Sequence, residues 1–427
     1  MKLFPFQKRI LEQTAQSSRV AYYLDMGLGK TYIGGEKIRQ LGAAVTLIVC
    51  QKTKIDDWHR HMKQHYPEMK ALRLHESSDF KAFCEYVIYP ERNPAAFPLV
   101  ATINYDLTFR RPFLLNLKNF TLVLDESSLI QNDTAKRTKF IMKMDPANVI
   151  LLSGTPTSGK YENLWPQLNL LGWDISKDAY NRQYVNWAKI DVEGFPVWIV
   201  DRREPYRNVE RLKRKMREHG SVFLKTEEVF DLPEQTFVEV NVQKTRNYSR
   251  FRKQKIVTVD GNELIGDSPL SFRLYSRMLC GHFNPKKLAA FRDLCSSTND
   301  RLVVFYNFDA ELEALRRIVV ALERPLSEIS GHAKDLAAYE KESDSVTLVQ
   351  YQAGSMGMNL QKANKIIYFT PTDKSELFEQ SKKRIHRIGQ DRPCFYYLLV
   401  CRDSVEDEEI FPVLGLRKRL ADNLFVE

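Results

Sequence analysis

DMGLGKT, residues 25–31, closes an apolar strand-like run, VAYYL (20–24), and opens a helical pattern over Thr31–Gln40. Strand, glycine turn and helix in that order form a phosphate cradle spanning Gly27, Leu28, Gly29, Lys30 and Thr31. The glycines let main-chain N–H groups approach phosphate oxygens, and the helix N-terminus adds positive potential. Lys30 reaches the outer phosphates and Thr31 can ligate Mg²⁺. Leu24 stands where the general phosphate-loop pattern has its first glycine. Far downstream, QSKKRIHRIGQ (380–390) sets Arg384 and Arg387 three residues apart, which predicts one helical face. A guanidinium is always charged and forks onto phosphate oxygens, so this strip can meet the same nucleotide from the other side. Half a nucleotide site near the start and half near the end predicts two lobes facing a cleft. Closing that cleft on ATP and opening it after hydrolysis gives a motor stroke.

The remaining apolar runs agree with two lobes. Residues 45–50 (VTLIVC), 97–103 (FPLVATI), 120–126 (FTLVLDE) and 149–155 (VILLSGT) alternate with helical patterns in the first half. Residues 301–307 (RLVVFYN), 345–351 (SVTLVQY), 365–371 (KIIYFTP) and 394–400 (CFYYLLV) do so in the second. Such alternation predicts an α/β fold of two doubly wound parallel sheets, with ligands at the carboxyl ends of the strands. A chain of 427 residues suits two lobes of roughly 200 residues each. We place them at 1–230 and 231–427, with a hinge near Asp231-Leu232-Pro233. Basic, aromatic-rich helical material is expected at about 172–230, and helical and hairpin material at about 235–298, with a turn at Asp260-Gly261.

Further strings carry chemistry. In LVLDESS (122–128), Asp125 is placed to hold Mg²⁺ through water and Glu126 to polarise an attacking water. LLSGTPTSG (151–159) offers the Ser153 and Thr155 hydroxyls to a terminal phosphate. In LFPFQ (3–7), Gln7 has the donor and acceptor to read an adenine edge. AGSMGMNL (353–360), with Gly357, supplies a glycine loop that can contact nucleotide or polymer, or merely turn the chain. His61 and His65 have i, i+4 spacing but no third ligand nearby, which favours a wet helix face over a metal site. His386 is expected to make a hydrogen bond between the lobes.

A net charge of +10 favours a polyanionic partner. The charge concentrates in RNVERLKRKMR (207–217) and KTRNYSRFRKQK (244–255). In the second run Arg246, Arg250, Arg252 and Lys253 are candidates for tracking phosphates. The alternative for both runs is a solvated helix face. The apolar runs are strand-sized, so no membrane partner is expected. Six scattered cysteines without a CxxC pair suit reduced core thiols, and the N-terminus has no apolar signal core; both point to the cytoplasm.

Order, spacing and content together resemble the Swi/Snf-type ATPases of helicase superfamily two, over nearly the whole chain. LFPFQ is similar to that family's adenine motif, and DMGLGKT to its phosphate loop. LIVCQKTKIDDW (47–58) and ATINYDL (101–107) resemble its next two motifs, with Gln51 where proline is usual. DESSLIQN (125–132) resembles its acidic motif, with Ser128 in place of a common histidine, and SGTPTSGKYENLW (153–165) its third motif. The spacing of Gln380, Arg384, Arg387 and Gln390 is the most specific likeness, and Ser355 replaces a glycine in AGSMG. The resemblance implies two tandem RecA-like lobes, ATP and Mg²⁺ as cofactors, and catalytic roles for Lys30, Asp125, Glu126, Arg384 and Arg387. Gln380 and Gly357 join the nucleotide contacts. It also implies nucleic-acid-stimulated hydrolysis and translocation along double-stranded DNA through the backbone, usually without strand separation. With no chromatin-reading or zinc module in view, a compact bacterial or phage-like form is expected. A strand-separating helicase acting on DNA or RNA, and a nucleotide-switched DNA-binding protein without motor activity, are the alternatives.

Overall fold

The computed structural model describes residues 3–92, 97–192, 194–354 and 358–426. The chain divides into two compact units. One comprises residues up to Val229 and those from Leu420 on; the other is Phe230–Arg419.

The first unit is built on strands β1 (Arg19–Leu24), β2 (Val45–Cys50), β3 (Lys70–Arg73), β4 (Leu99–Asn104), β5 (Thr121–Asp125) and β6 (Asn148–Ser153). An antiparallel hairpin of β7 (Trp187–Val192) and β8 (Phe195–Val200) follows, then β9 (Ser221–Leu224). The sheet order is β3-β4-β2-β5-β6-β1-β9, parallel at each pairing. Helices cover this sheet, so central strands bury both faces, and Val20–Leu24 and Leu122–Leu124 are fully buried. That is why they read as unbroken apolar runs in place of alternating ones. From Leu420 the chain packs on this unit: Tyr161 donates to the Leu420 carbonyl at 2.5 Å, and Lys225 pairs with Asp422 at 3.2 Å.

The second unit carries β10 (Gln235–Gln243), the hairpin β11 (Ile256–Val259) and β12 (Asn262–Ile265), β13 (Leu302–Tyr306), β14 (Leu326–Ile329), β15 (Lys334–Asp335), β16 (Val346–Gln350), β17 (Lys365–Tyr368) and β18 (Cys394–Arg402). Its sheet order is β10-β18-β17-β13-β16-β14-β15, parallel except at β14–β15. The fold is therefore two parallel α/β sheets, as the alternation predicts.

The middle of the chain is less helical than expected. Helices do form at Lys177–Tyr184, Val209–Glu218, Arg246–Gln254, Pro269–Cys280 and Pro285–Ser296. Yet Ser221–Leu224 and Gln235–Gln243 join the two sheets as strands. Both lie beside only one neighbour or at an edge, half exposed, so their apolar signal is diluted; β10 alternates exposed and half-buried residues along its length. The turn at Asp260-Gly261 forms as expected. Both residues have positive φ, 49° and 77°, which matches a tight hairpin to the strand twist.

Candidate nucleotide site

In the first unit β5, β6 and β1 are adjacent and parallel, so the loops that follow them leave one edge of the sheet. Those loops are DESS, SGTP and the phosphate cradle. Registers Tyr23↔Ser153 and Asp125↔Leu152 bring their roots level. Flanking strands add to the same edge: Trp58 follows β2, Tyr105 follows β4 and Thr226 follows β9.

The cradle turns through Gly27 (φ 90°) and Gly29 (φ 73°), a region closed to most side-chain-bearing residues. A Cβ at Gly27 would meet nothing within 4 Å, whereas one at Gly29 would lie 2.5 Å from Gln7 Nε2. Gln7 is buried; its Nε2 donates to the Leu28 carbonyl at 3.0 Å and its Oε1 accepts the Phe4 N–H at 2.9 Å. The expected adenine reader therefore also braces the cradle from below. Lys30 Nζ donates to the carbonyls of Leu24 (2.9 Å) and Asp25 (3.3 Å), and a Cβ at Gly154 would lie 3.3 Å from it. Asp25 in turn accepts from the N–H and hydroxyl of Thr226 at 3.1 and 3.3 Å.

The acidic pair is held on two sides. Trp58 Nε1 donates to Asp125 Oδ2 at 2.8 Å, and Tyr105 Oη donates to the carbonyls of Asp125 (3.0 Å) and Glu126 (3.4 Å). Burial pushes the Asp125 carboxyl above the ordinary carboxylate range; the Trp58 hydrogen bond and the Lys30 charge act against that rise. Removing the indole N–H in Trp58→Phe takes away a bond that favours the ionised form, so the pKa climbs further. The acid limb of the pH profile of ATP hydrolysis should move up by about one pH unit. A profile superimposable on wild type would show that Asp125 ionisation does not limit the reaction.

These residues fit a magnesium–nucleotide complex. Gly27 leaves open space over the cradle, Lys30 lies against the SGTP loop, and Thr155 Oγ1 is buried with no hydrogen-bond partner among the described residues. Among the described residues no group of three or more His, Cys, Asp or Glu could hold a metal ion. A cation here would have one carboxylate, Asp125, with Thr31 and the ligand's own phosphates.

A hub that the sequence did not announce joins the three loops. Gln167, on the helix Trp165–Leu170, accepts from Tyr23 Oη (3.1 Å) and Ser127 Oγ (2.7 Å) and donates to the Pro156 carbonyl (2.7 Å). Trp58 and Tyr105 lie in the LIVCQKTKIDDW and ATINYDL strings, so their positions were visible but not their partners. Nothing in LWPQLNLL marks its glutamine.

In the second unit the arginine strip departs from expectation. The helix Ser375–Lys382 ends three residues into it, and Arg384 and Arg387 lie on the turn and bend that follow, not on one helical face. The reason is the return to β18: Gln390 Nε2 donates to the carbonyls of Gln361 (3.0 Å) and Ala363 (2.9 Å), pinning the strip to the start of β17. The strip thus lies at the N-terminal edge of its sheet, not the carboxyl edge. Arg384 is 1% exposed and donates to the Met358 carbonyl at 3.3 Å, while Arg387 is only half-buried. Gln380 donates to Glu376 at 3.3 Å. Gly357 lies outside the described residues. His386 pairs with the Pro233 carbonyl at 2.9 Å, within its own unit.

Two other expectations change. His61 is not on a wet face: it is 8% exposed among Trp58, Tyr32 and Tyr66, and burial lowers its pKa to about 4. Of the basic runs, 207–217 is largely committed. Lys213 is buried and pairs with Glu210, Lys215 pairs with Glu218, and Arg217 lies over Phe223. In the helix Arg246–Gln254, Tyr248 and Phe251 face the core. Arg246, Arg250 and Lys253 recur at i, i+4, i+7 and are exposed, whereas Arg252 stacks over Phe272 at 5.0 Å and lies 3.9 Å from Glu409.

Residues 18–283 match the SNF2-related domain and residues 286–389 the helicase conserved C-terminal domain. The chain is similar to the ISWI chromatin-remodeling complex ATPase ISW2 of Saccharomyces cerevisiae, at 23% identity over 90% of this chain and 37% of that protein. It is similar to YwqA of Bacillus subtilis at 22% identity over 94% of this chain and 46% of that protein. The chain therefore spans less than half the length of these two curated relatives. Among solved structures, the Sulfolobus solfataricus SWI2/SNF2 ATPase core in complex with dsDNA is similar at a TM-score of 0.45 and 17% identity, covering 99% of this chain and 92% of that one.

Proposed function

The chain belongs to the SNF2-related family, and from that premise we propose that it hydrolyses Mg²⁺-bound ATP to translocate along double-stranded DNA. The observation that carries the ATPase reading is the convergence of three loops on one sheet edge: Lys30 lies against the SGTP loop, and Asp125 is held ionisable beside them. Main-chain amides of Gly27–Thr31 and the Lys30 ammonium bind phosphate oxygens, while Gln7 braces the cradle and faces the base. Asp125 and Thr31 would hold the cation. When bound, Mg²⁺ offsets phosphate charge. Glu126 orients and polarises the water that attacks the terminal phosphate, and the Thr155 hydroxyl contacts that phosphate. Arg387 stabilises charge developing in the same reaction. Arg384 takes a supporting part, fixing the loop around Met358.

Duplex DNA is the proposed track. The exposed Arg246–Arg250–Lys253 stripe supports contact with phosphates, and no base-edge reader is evident, so sequence preference should be slight. Reversing the charge of Arg246, Arg250 and Lys253 together should weaken DNA binding and reduce the slope of log K against log salt by about 2–3. An unchanged slope would return the stripe to an ordinary solvated face. Steady-state ATPase rates without polymer and with single-stranded DNA, duplex DNA and RNA test the main reading. Stimulation by duplex above the others is the expected result; no hydrolysis under any condition would sink it. One observation favours strand separation instead: the hairpin β11–β12 exposes the paired Ile256 and Ile265, as a pin would. Triplex displacement without fork unwinding supports translocation; fork unwinding supports the pin.

A further inference from the structure

We infer that Gln167 is a positioning residue for hydrolysis, tying the cradle strand, the acidic loop and the SGTP loop into one rigid assembly through its side-chain amide. This rests on the ATPase reading above. Two of its three partners are each next to a group with a proposed chemical task, and the third lies on the strand that leads into the cradle. Ser127 follows Glu126, Pro156 follows Thr155, and Tyr23 precedes Asp25 by two residues. Gln167, Tyr23 and Ser127 are all fully buried.

The amide suits the task because it both accepts and donates. Oε1 takes two hydroxyl donors, at 3.1 and 2.7 Å, while Nε2 supplies one donor to the Pro156 main-chain carbonyl at 2.7 Å. Burial pushes the Tyr23 phenol well above its ordinary pKa, so it stays a donor throughout the working pH range. Hydrogen bonds buried together polarise one another, and the set is stable only when every member is satisfied. Displacing the SGTP loop on phosphate contact therefore pulls on Ser127 and, next to it, on the water-polarising Glu126. A space-filling core glutamine would hold the fold but would leave no specific trace in turnover.

The experiment measures kcat and KM for ATP with duplex DNA on the full chain for wild type, Gln167→Leu, Ser127→Ala and the double variant, each checked for a cooperative thermal transition. The expected result is a loss in kcat of about 10–100-fold in Gln167→Leu and about tenfold in Ser127→Ala, with KM within about threefold of wild type. The double variant should be no slower than Gln167→Leu, because both substitutions cut one path. Should Gln167→Leu fail to fold, Ser127→Ala, Tyr23→Phe and their combination give the same comparison. Folded variants with wild-type kcat, or losses that multiply in the combination, overturn the inference. An inactive wild type overturns the ATPase reading and this inference with it, whereas an active wild type with insensitive variants overturns this inference alone.

Discussion

Glu126→Gln is expected to leave nucleotide binding at its wild-type affinity and to lower kcat for ATP hydrolysis about 10²–10⁴-fold. The substitution keeps size and hydrogen-bonding shape but removes the charge proposed to draw a proton from water. Glu126 sits at φ 56°, a left-handed conformation that costs a non-glycine residue on the order of 1 kcal/mol. The fold maintains it because Tyr105 holds the carbonyls of both Asp125 and Glu126, and Ser127 is tied to Gln167. Glutamine keeps every main-chain bond in that arrangement, so stability and cradle geometry should persist. The variant should also stay on DNA longer in ATP than wild type, because the bound state no longer decays by hydrolysis. Binding of a fluorescent ATP analogue together with single-turnover hydrolysis checks this. Turnover near wild type would remove Glu126 from the reaction, and loss of binding would mean it shapes the cradle instead.

Arg387→Ala and Arg384→Ala should fail in different ways. Arg387 is half-buried, and burial lowers its pKa without neutralising so basic a group, so it keeps its charge. Its removal is expected to reduce kcat by about 10³-fold or more with a normal melting curve. Arg384 is among the largest fully buried side chains and donates to Met358 inside the second unit. Its truncation leaves a cavity and should cost about 2–5 kcal/mol of stability, so activity falls through unfolding. Thermal melts beside ATPase rates separate the two. A stable, inactive Arg384→Ala with an active Arg387→Ala would reverse these assignments.

The parallel strands were legible because burial on both faces writes them as continuous apolar runs; VAYYL and LVL need no context to be read. The DMGLGKT, DESS and SGTP strings were legible because each ends such a run, and in a parallel sheet the end of a run is where loops collect. What escaped were residues whose role depends on a partner far away in sequence. Trp58 and Asp125 are separated by 67 positions, and Gln167 and Tyr23 by 144. Periodicity fixed three-residue spacing for Arg384 and Arg387 but not a helix, since hydrogen bonds from Gln390 to the carbonyls before β17 bend the chain there. His61 looked wet because its neighbours in sequence are polar; its neighbours in space are rings.

Local sequence determined which segments become strands, where phosphates can be cradled and which acids end a buried strand, because those properties follow from backbone sterics and from burial along a few consecutive residues. Tertiary structure alone decided that the three loops share an edge, that one buried amide ties them together, and which of two neighbouring arginines faces inward. Those outcomes come from sheet order and from hydrogen bonds across large sequence separations, which no short window of residues encodes.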